Sequence, residues 1–169
     1  MIQPIETERL ILRRPAPRDQ DICVDFFMSE RAAGVGGPFD LHAAWRHFAY
    51  ELGHWEIYGF GMWAVTMKDD DTILGLIGPW HPADWPEREI GWMVFGNSEG
   101  KGIAFEAAQA AIKHARTELG WTDFVSYISE GLTRSIALAE RLGATLDKNA
   151  KGPEAHPCLV YRHPMQEAL

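Results

Sequence analysis

Apolar positions along this chain fall into short runs and helical stripes, and their order predicts an alternation of strands and helices. Residues 9–14, RLILRR, form an apolar run that ends at Pro15 and predict a first strand, with a helix following over about 18–28. Gly34, Gly36, Gly37 and Pro38 then break the chain. Over 41–58, Trp45, Phe48, Ala49, Leu52 and Trp55 recur at helical spacing and predict a helix that buries that stripe, ended by Gly59 and Gly61. Residues 62–67 and 73–78 are short apolar runs joined by a polar turn, 68–72, which predicts a hairpin. The connection that follows, PWHPADWP, reads as a Pro-rich aromatic loop.

Residues 89–95, EIGWMVF, predict a strand whose alternation puts Glu89, Met93 and Phe95 on one face and Ile90, Trp92 and Val94 on the other. A glycine-punctuated loop, 96–102, leads into a helix over 103–119. Its apolar stripe is largely alanine (Ala104, Ala107, Ala108, Ala111, Ala115), so that helix can approach a sheet closely. A strand over 124–128, a short helix over 133–142 closed by Gly143, and a last hairpin from 145–147 and 158–162 complete the set. No repeat or linker divides the chain, so 1–169 is expected to be a single domain.

Composition narrows what such a chain does. With 169 residues, 46% of them hydrophobic, it can bury a core without staples. Cys23 and Cys158 lie far apart with no metal-ligand spacing, which points to reduced thiols, no metal site and a cytoplasmic setting. No signal peptide or membrane span is visible, so no membrane partner is expected. Sixteen Lys and Arg against 24 Asp and Glu give a net charge of −8, opposite in sign to a nucleic-acid binder. Of the seven tryptophans, Trp55, Trp63, Trp80, Trp85 and Trp92 suggest an aromatic wall, although core packing accounts for any one of them more simply.

The chemistry begins in the loop before the long helix. Gly100 and Gly102 precede a helix whose first amides lack intrahelical acceptors, and that end favours an anion such as a pyrophosphate. A Walker loop fails because Gly102, not Ser or Thr, follows Lys101. A dinucleotide fingerprint fails because Phe105 stands where glycine is required.

In order, TERLILRRP, EIGWMVF running into EGKGIAFEA, and SYISEGLTRSIALAERLGA resemble the GNAT N-acetyltransferases, in the branch of the ribosomal-protein N-terminal acetyltransferases (RimJ/RimL-like). The likeness covers nearly the whole chain and is weakest over 32–58. It implies an α/β (α+β) fold: a mixed, mostly antiparallel sheet of about seven strands, helices on both faces, and fourth and fifth strands that splay at a bulge to admit the pantetheine arm of acetyl-CoA. Met93, Val94 and Phe95 would border that arm, and Glu99, Gly100, Lys101, Gly102, Ile103 and Ala104 would hold the pyrophosphate. The family signature there, Arg/Gln-x-x-Gly-x-Gly/Ala, falls on Glu99, Gly102 and Ala104, so a carboxylate replaces its first residue. Leu132 replaces an asparagine of the family, and the tyrosine often used to protonate the thiolate would sit near Ala139.

Direct transfer needs a base for the ammonium, a donor to the thioester oxygen and a proton for the leaving thiolate. Glu89 is the candidate base, with a structural carboxylate paired to Arg88 or another base as the equal alternative. The Val94 amide is the donor implied by the family. Ser135 either donates to the thiolate or satisfies its own backbone. Trp80, Trp85 and Trp92 are candidates for the acceptor wall, with core packing the simpler reading of Trp92, and His81 in the aromatic loop is a candidate substrate-site residue that relays a proton through water, with a surface role the simpler reading. The expected activity is acetyl transfer from acetyl-CoA to a primary amine, on a protein N-terminus or a small molecule. A non-catalytic acyl-CoA-binding domain is the alternative, and a phosphate-binding module unrelated to CoA is a third reading. Members of the family often pair, so a homodimer is also an open expectation, although no interface patch is marked in the sequence.

Overall fold

The computed structural model describes residues 2–165. A short strand β1 (Ile5–Glu6) turns back into β2 (Leu10–Arg13), followed by α1 (Gln20–Met28) and α2 (Leu41–Tyr58). Next come β3 (Trp63–Met67), β4 (Asp70–Trp80), β5 (Glu89–Val94), α3 (Ile103–Thr117), β6 (Val125–Ile128), α4 (Thr133–Arg141), β7 (Thr145–Leu146) and β8 (Leu159–Arg162). The eight strands form one sheet in the order β1-β2-β3-β4-β5-β6-β8-β7. Every neighbouring pair is antiparallel except β5 and β6.

The α/β (α+β) expectation holds, with one strand more than anticipated. The added strand is β1, two residues long and too short to leave a periodicity of its own. Helices cover both faces. Buried residues of α1 and α2 (Val24, Phe27, Ala44, Phe48) pack with Ala64, Leu76 and Met93, whereas Ala107, Ala108 and Ala111 of α3 pack with Leu10, Val65 and Ile77. Those alanines are fully buried, as the close-approach stripe requires.

Three local readings change. In α2 the buried stripe is Ala44, Phe48, Glu51, His54 and Trp55, rotated from the one expected, and Trp45 is exposed with its indole N–H donating to Gln20. The hairpin turn is shorter than 68–72: Met67 pairs with Asp70, leaving Lys68 and Asp69 at the tip. Strand β4 also runs on to Trp80, which is therefore a strand residue paired with Glu89 and not part of the aromatic loop. Its extension is stabilised by cross-strand pairing with β5 through Pro79, a register that local propensity does not encode.

The expected splay is present but not the bulge beside it: β4 and β5 pair in continuous register from Gly75–Val94 to Trp80–Glu89, and the register shift lies instead at Val65–Met67 of β3. Strands β5 and β6 pair at Glu89 and Val125 only, after which the two diverge. Ser126 Oγ donates to the Ile90 carbonyl at 2.6 Å across the start of the gap.

Candidate active site

The gap between β5 and β6 opens into a cleft of about 1290 Å³, bordered by the loop 96–102, the N-terminal turns of α3 and α4, the C-terminal end of α1 and the middle of α2. The ladder sets which groups face it. The Phe95 amide donates to the Leu74 carbonyl at 2.8 Å, so strand alternation turns the Val94 peptide the other way, toward the gap. There the Val94 carbonyl accepts from Arg31 Nη2 at 3.1 Å.

Below the gap the loop is shaped for an anion. Gly100 and Gly102 have φ of +74° and +76°, a left-handed backbone that a side chain rarely adopts, and they aim the chain into α3. The N-terminus of α3 has no side-chain cap, which leaves its first amides free to donate. From behind, Arg9 Nη1 donates to the Lys101 carbonyl at 3.0 Å, while Glu106 accepts from Thr7, the Arg9 amide and the Arg9 guanidinium. The loop is thus tied to the N-terminal segment on its outer side and left open on its inner side. Such a cradle fits a pyrophosphate and the narrow arm of a pantetheine.

Glu99, the carboxylate at the first position of the signature, is held by two cations. Its carboxylate accepts from Arg31 at 2.7 Å and from Arg134. The three side chains come from the turn after α1, the loop before α3 and the first turn of α4, so the bridge spans the mouth of the cleft.

The other end of the cleft is acidic and aromatic. Glu89 is 7% exposed; its Oε2 accepts from Trp85 Nε1 at 2.5 Å. Burial pushes its carboxyl up to about 7, opposed by the hydrogen bonds from Trp85 and from the Tyr127 amide. No ion pair to Arg88 forms; Arg88 lies over the Trp121 ring instead. Gly91, two residues on, makes room, since a Cβ there would sit 2.5 Å from Met62 and 3.4 Å from Glu89 Oε1. Glu51 of α2, 4% exposed, lines the same space, and burial together with the charge of Glu89 pushes its carboxyl up to about 8.

The remaining expected residues divide. Met93, Val94, Glu99, Gly100, Gly102, Ile103, Ala104, Trp80, Trp85 and Ser135 line the cleft. Phe95 instead packs into the core against Phe26 at 4.5 Å, and Lys101 contributes its carbonyl to Arg9 rather than a side chain to the cleft. His81 lies outside the lining; its amide donates to His54 Nε2 at 3.1 Å, which fixes the ring that stacks on Trp80. Ala139 is buried among Ile128, Ala144 and Tyr161, turned away from the cleft. Leu132 lines the cleft and closes against Gly34, where an added Cβ would lie 2.8 Å from its side chain. Tyr127 Oη accepts from the Glu87 amide at 3.2 Å.

Sequence reasoning missed Arg31, Arg134 and Glu51. The two arginines carry no local pattern, but Glu51 had one: it occupies the same helical stripe as Ala44, Phe48 and Trp55, and a carboxylate on a buried stripe is itself a signal.

A sheet split between two parallel strands, with a glycine turn feeding an uncapped helix below the split, defines an acetyltransferase of the GNAT class. Residues 9–145 match the family described as "Acetyltransferase (GNAT) domain", and the chain belongs to that family. Among solved structures it is similar to an acetyltransferase of Agrobacterium tumefaciens, at 39% identity and TM-score 0.89, covering 96% of this chain and 95% of that one. It shares its fold with RimL, the ribosomal L7/L12 alpha-N-protein acetyltransferase, solved with coenzyme A. That likeness has 17% identity and a TM-score of 0.73, over 96% of this chain and 98% of RimL. Among curated proteins it is similar to the uncharacterized protein YkkB of Bacillus subtilis, 29% identical over 96 residues; the match spans 56% of this chain and 56% of YkkB.

Proposed function

We propose that the protein, as one GNAT domain over 1–169, transfers the acetyl group of acetyl-CoA directly to a primary amine in a ternary complex. The observation that carries this reading is Glu89: a buried carboxyl, with its proton affinity raised to about 7, beside the gap into which the Val94 peptide faces. A base poised near neutrality takes a proton from an ammonium without holding it too tightly.

Each remaining demand of the chemistry has a group. The amides of Gly102, Ile103 and Ala104 at the α3 terminus hold the phosphates, with Gly100 and Glu99 shaping the turn before them. Acetyl-CoA, when bound, supplies an activated thioester carbonyl. The Val94 amide donates to the oxygen of that carbonyl as charge develops on it. Glu89 takes the proton that the attacking nitrogen loses, and Trp85 holds its carboxylate in one orientation. Ser135, half-buried on the cleft side of α4, donates a hydrogen bond to the departing thiolate, which takes its proton from solvent as Glu89 returns there the one it took from the nitrogen. Trp80 and Trp85 wall the acceptor, which is either a protein N-terminus or a small-molecule amine.

The test is calorimetric titration with acetyl-CoA, using desulfo-CoA and ADP as controls, followed by thiol release across an amine panel. Saturable binding that needs the pantetheine arm, together with amine-dependent thiol release abolished in Glu89→Gln, is the expected result. Binding with no release from any amine would make the chain an acyl-CoA-binding domain instead, and tight binding of ADP alone would make it a phosphate-binding module.

A further inference from the structure

Glu51 has no structural reason to be charged. It sits on the inner stripe of α2 between Phe48 and Trp55, 4% exposed, and its Oε2 is buried without a hydrogen-bond partner. A carboxylate held that way costs free energy, and a leucine or methionine would pack there without that cost. What distinguishes the position is its outlook: Glu51 lines the cleft together with Glu89, Tyr50, Trp80, Asp84 and Trp85.

The charges lining the cleft are also segregated. Arg31 and Arg134 are bound to Glu99, and Arg141 lies over the Phe105 ring at 4.3 Å, so all three cluster beside the start of α3. At the opposite end Glu51, Asp84 and Glu89 face the space between α2 and β5, and among the described residues no lysine or arginine lines it. One end therefore suits an anion and the other a cation.

We propose that Glu51 is an acceptor-binding residue. With Glu89 it takes up the ammonium group of a small cationic amine whose apolar or aromatic body lies against Trp80 and Trp85, and which carries no carboxylate beside the amine. An ammonium has three N–H donors, enough for Glu89 and for the unpartnered Oε2 of Glu51 together. An amino acid presents the same ammonium with a carboxylate one carbon away, which Asp84 and Glu89 repel and which offsets the positive charge that would draw Glu51 into its ionised form. The indoles add an apolar, electron-rich face on which an amine-bearing ring or chain can lie. This assignment rests on the acceptor entering the cleft at the Glu89 end, and it narrows the acceptor from primary amines in general to those without an adjacent acid.

Two probes that share a ring and an amine separate the cases: phenethylamine and L-phenylalanine, each titrated calorimetrically into the protein saturated with CoA. Phenethylamine is expected to bind at least about tenfold more tightly than phenylalanine, and Glu51→Gln to lose at least about tenfold in amine affinity. In that variant the preference between the two probes collapses toward one while the affinity for CoA is unchanged, a pattern that a merely structural residue would not give. Should Glu51→Gln fail to fold, the contrast in the unaltered protein decides. Equal binding of the two probes, no binding of phenethylamine, or an amine affinity indifferent to Glu51→Gln overturns the assignment. Thiol release, measured alongside with acetyl-CoA, separates the two levels: amine binding without release sinks the transferase and leaves the cation site, and release that ignores the carboxylate does the reverse.

Discussion

At Glu89 the balance between burial and two hydrogen bonds sets when the group can act. Burial raises its proton affinity, and the donors Trp85 Nε1 and the Tyr127 amide lower it by favouring the ionised form, leaving the carboxyl near 7. Removing the indole donor in Trp85→Phe takes away a hydrogen bond to a charged group in a buried place. The rise of kcat/KM with pH, expected to be centred near 7 in the unaltered protein, then moves about one unit or more alkaline. In Glu89→Gln that limb disappears and kcat falls about a hundredfold or more, with the affinity for acetyl-CoA intact. A pH profile identical in the unaltered protein and Trp85→Phe would place the base elsewhere. The same residue shows what one sequence can carry: alternation in EIGWMVF put Glu89 and Met93 on one face, and they are found there, Met93 packed with Met62 in the core and Glu89 beside Met62 across Gly91, because strand geometry leaves no other choice. The partner on Glu89 came from a loop with no periodicity, and Glu51 from a helix whose stripe was drawn through Trp45, so neither contact was legible locally.

Among elements, the bridge over the cleft mouth couples three that are remote in sequence. Glu99 neutralises Arg31 and Arg134 where a pyrophosphate would otherwise engage them, and Arg31 also occupies the Val94 carbonyl in the strand gap. Glu99→Gln removes one negative charge beside a polyanion and frees both guanidinium groups. Acetyl-CoA is therefore expected to bind about three- to tenfold more tightly in that variant and more weakly in Arg134→Ala, with both differences shrinking at high salt. Calorimetry at two ionic strengths checks this, and a Glu99→Gln variant that binds less well would show that the carboxylate orders the loop instead. Elements of this kind divide sharply in how well a sequence announces them. The alanine stripe of α3 and the glycines before it were readable because 3.6-residue periodicity and a positive φ are local facts. The course of β4 through Pro79 to Trp80 was not, since it depends on the register with β5, nor was the bridge, since Arg31 and Glu99 meet only through the fold.

For the whole molecule, the buried ionisable groups act on stability in opposite directions. Glu51 and Glu89 keep their protons in the folded state up to about 8 and about 7, whereas the unfolded chain releases them near 4.5. The folded state therefore binds more protons over that interval, and stability falls as pH rises until those folded values are passed. His163, buried and pushed down to about 4, does the reverse: the unfolded chain takes up a proton below about 6.5 that the folded one refuses, so stability falls as pH drops from there. Below 6.5 the two effects oppose, and above it only the carboxyls act, so the melting temperature should decline between pH 6.5 and 8. Glu51→Gln keeps the shape and removes the larger of the two carboxyl penalties. It is expected to stabilise the protein at pH 8 by about 2 kcal/mol, or roughly 4–8 °C in Tm for a domain of this size, and to do so less at pH 6.5. Scanning calorimetry at the two pH values checks the difference. A variant that gains stability at pH 8 and loses amine affinity would show Glu51 as a group kept for binding against the interest of the fold, since function commonly retains what packing would discard. A Tm that does not respond to Glu51→Gln at either pH would mean that the carboxyl is solvated in the folded protein, and its proton affinity would then be that of an ordinary surface glutamate.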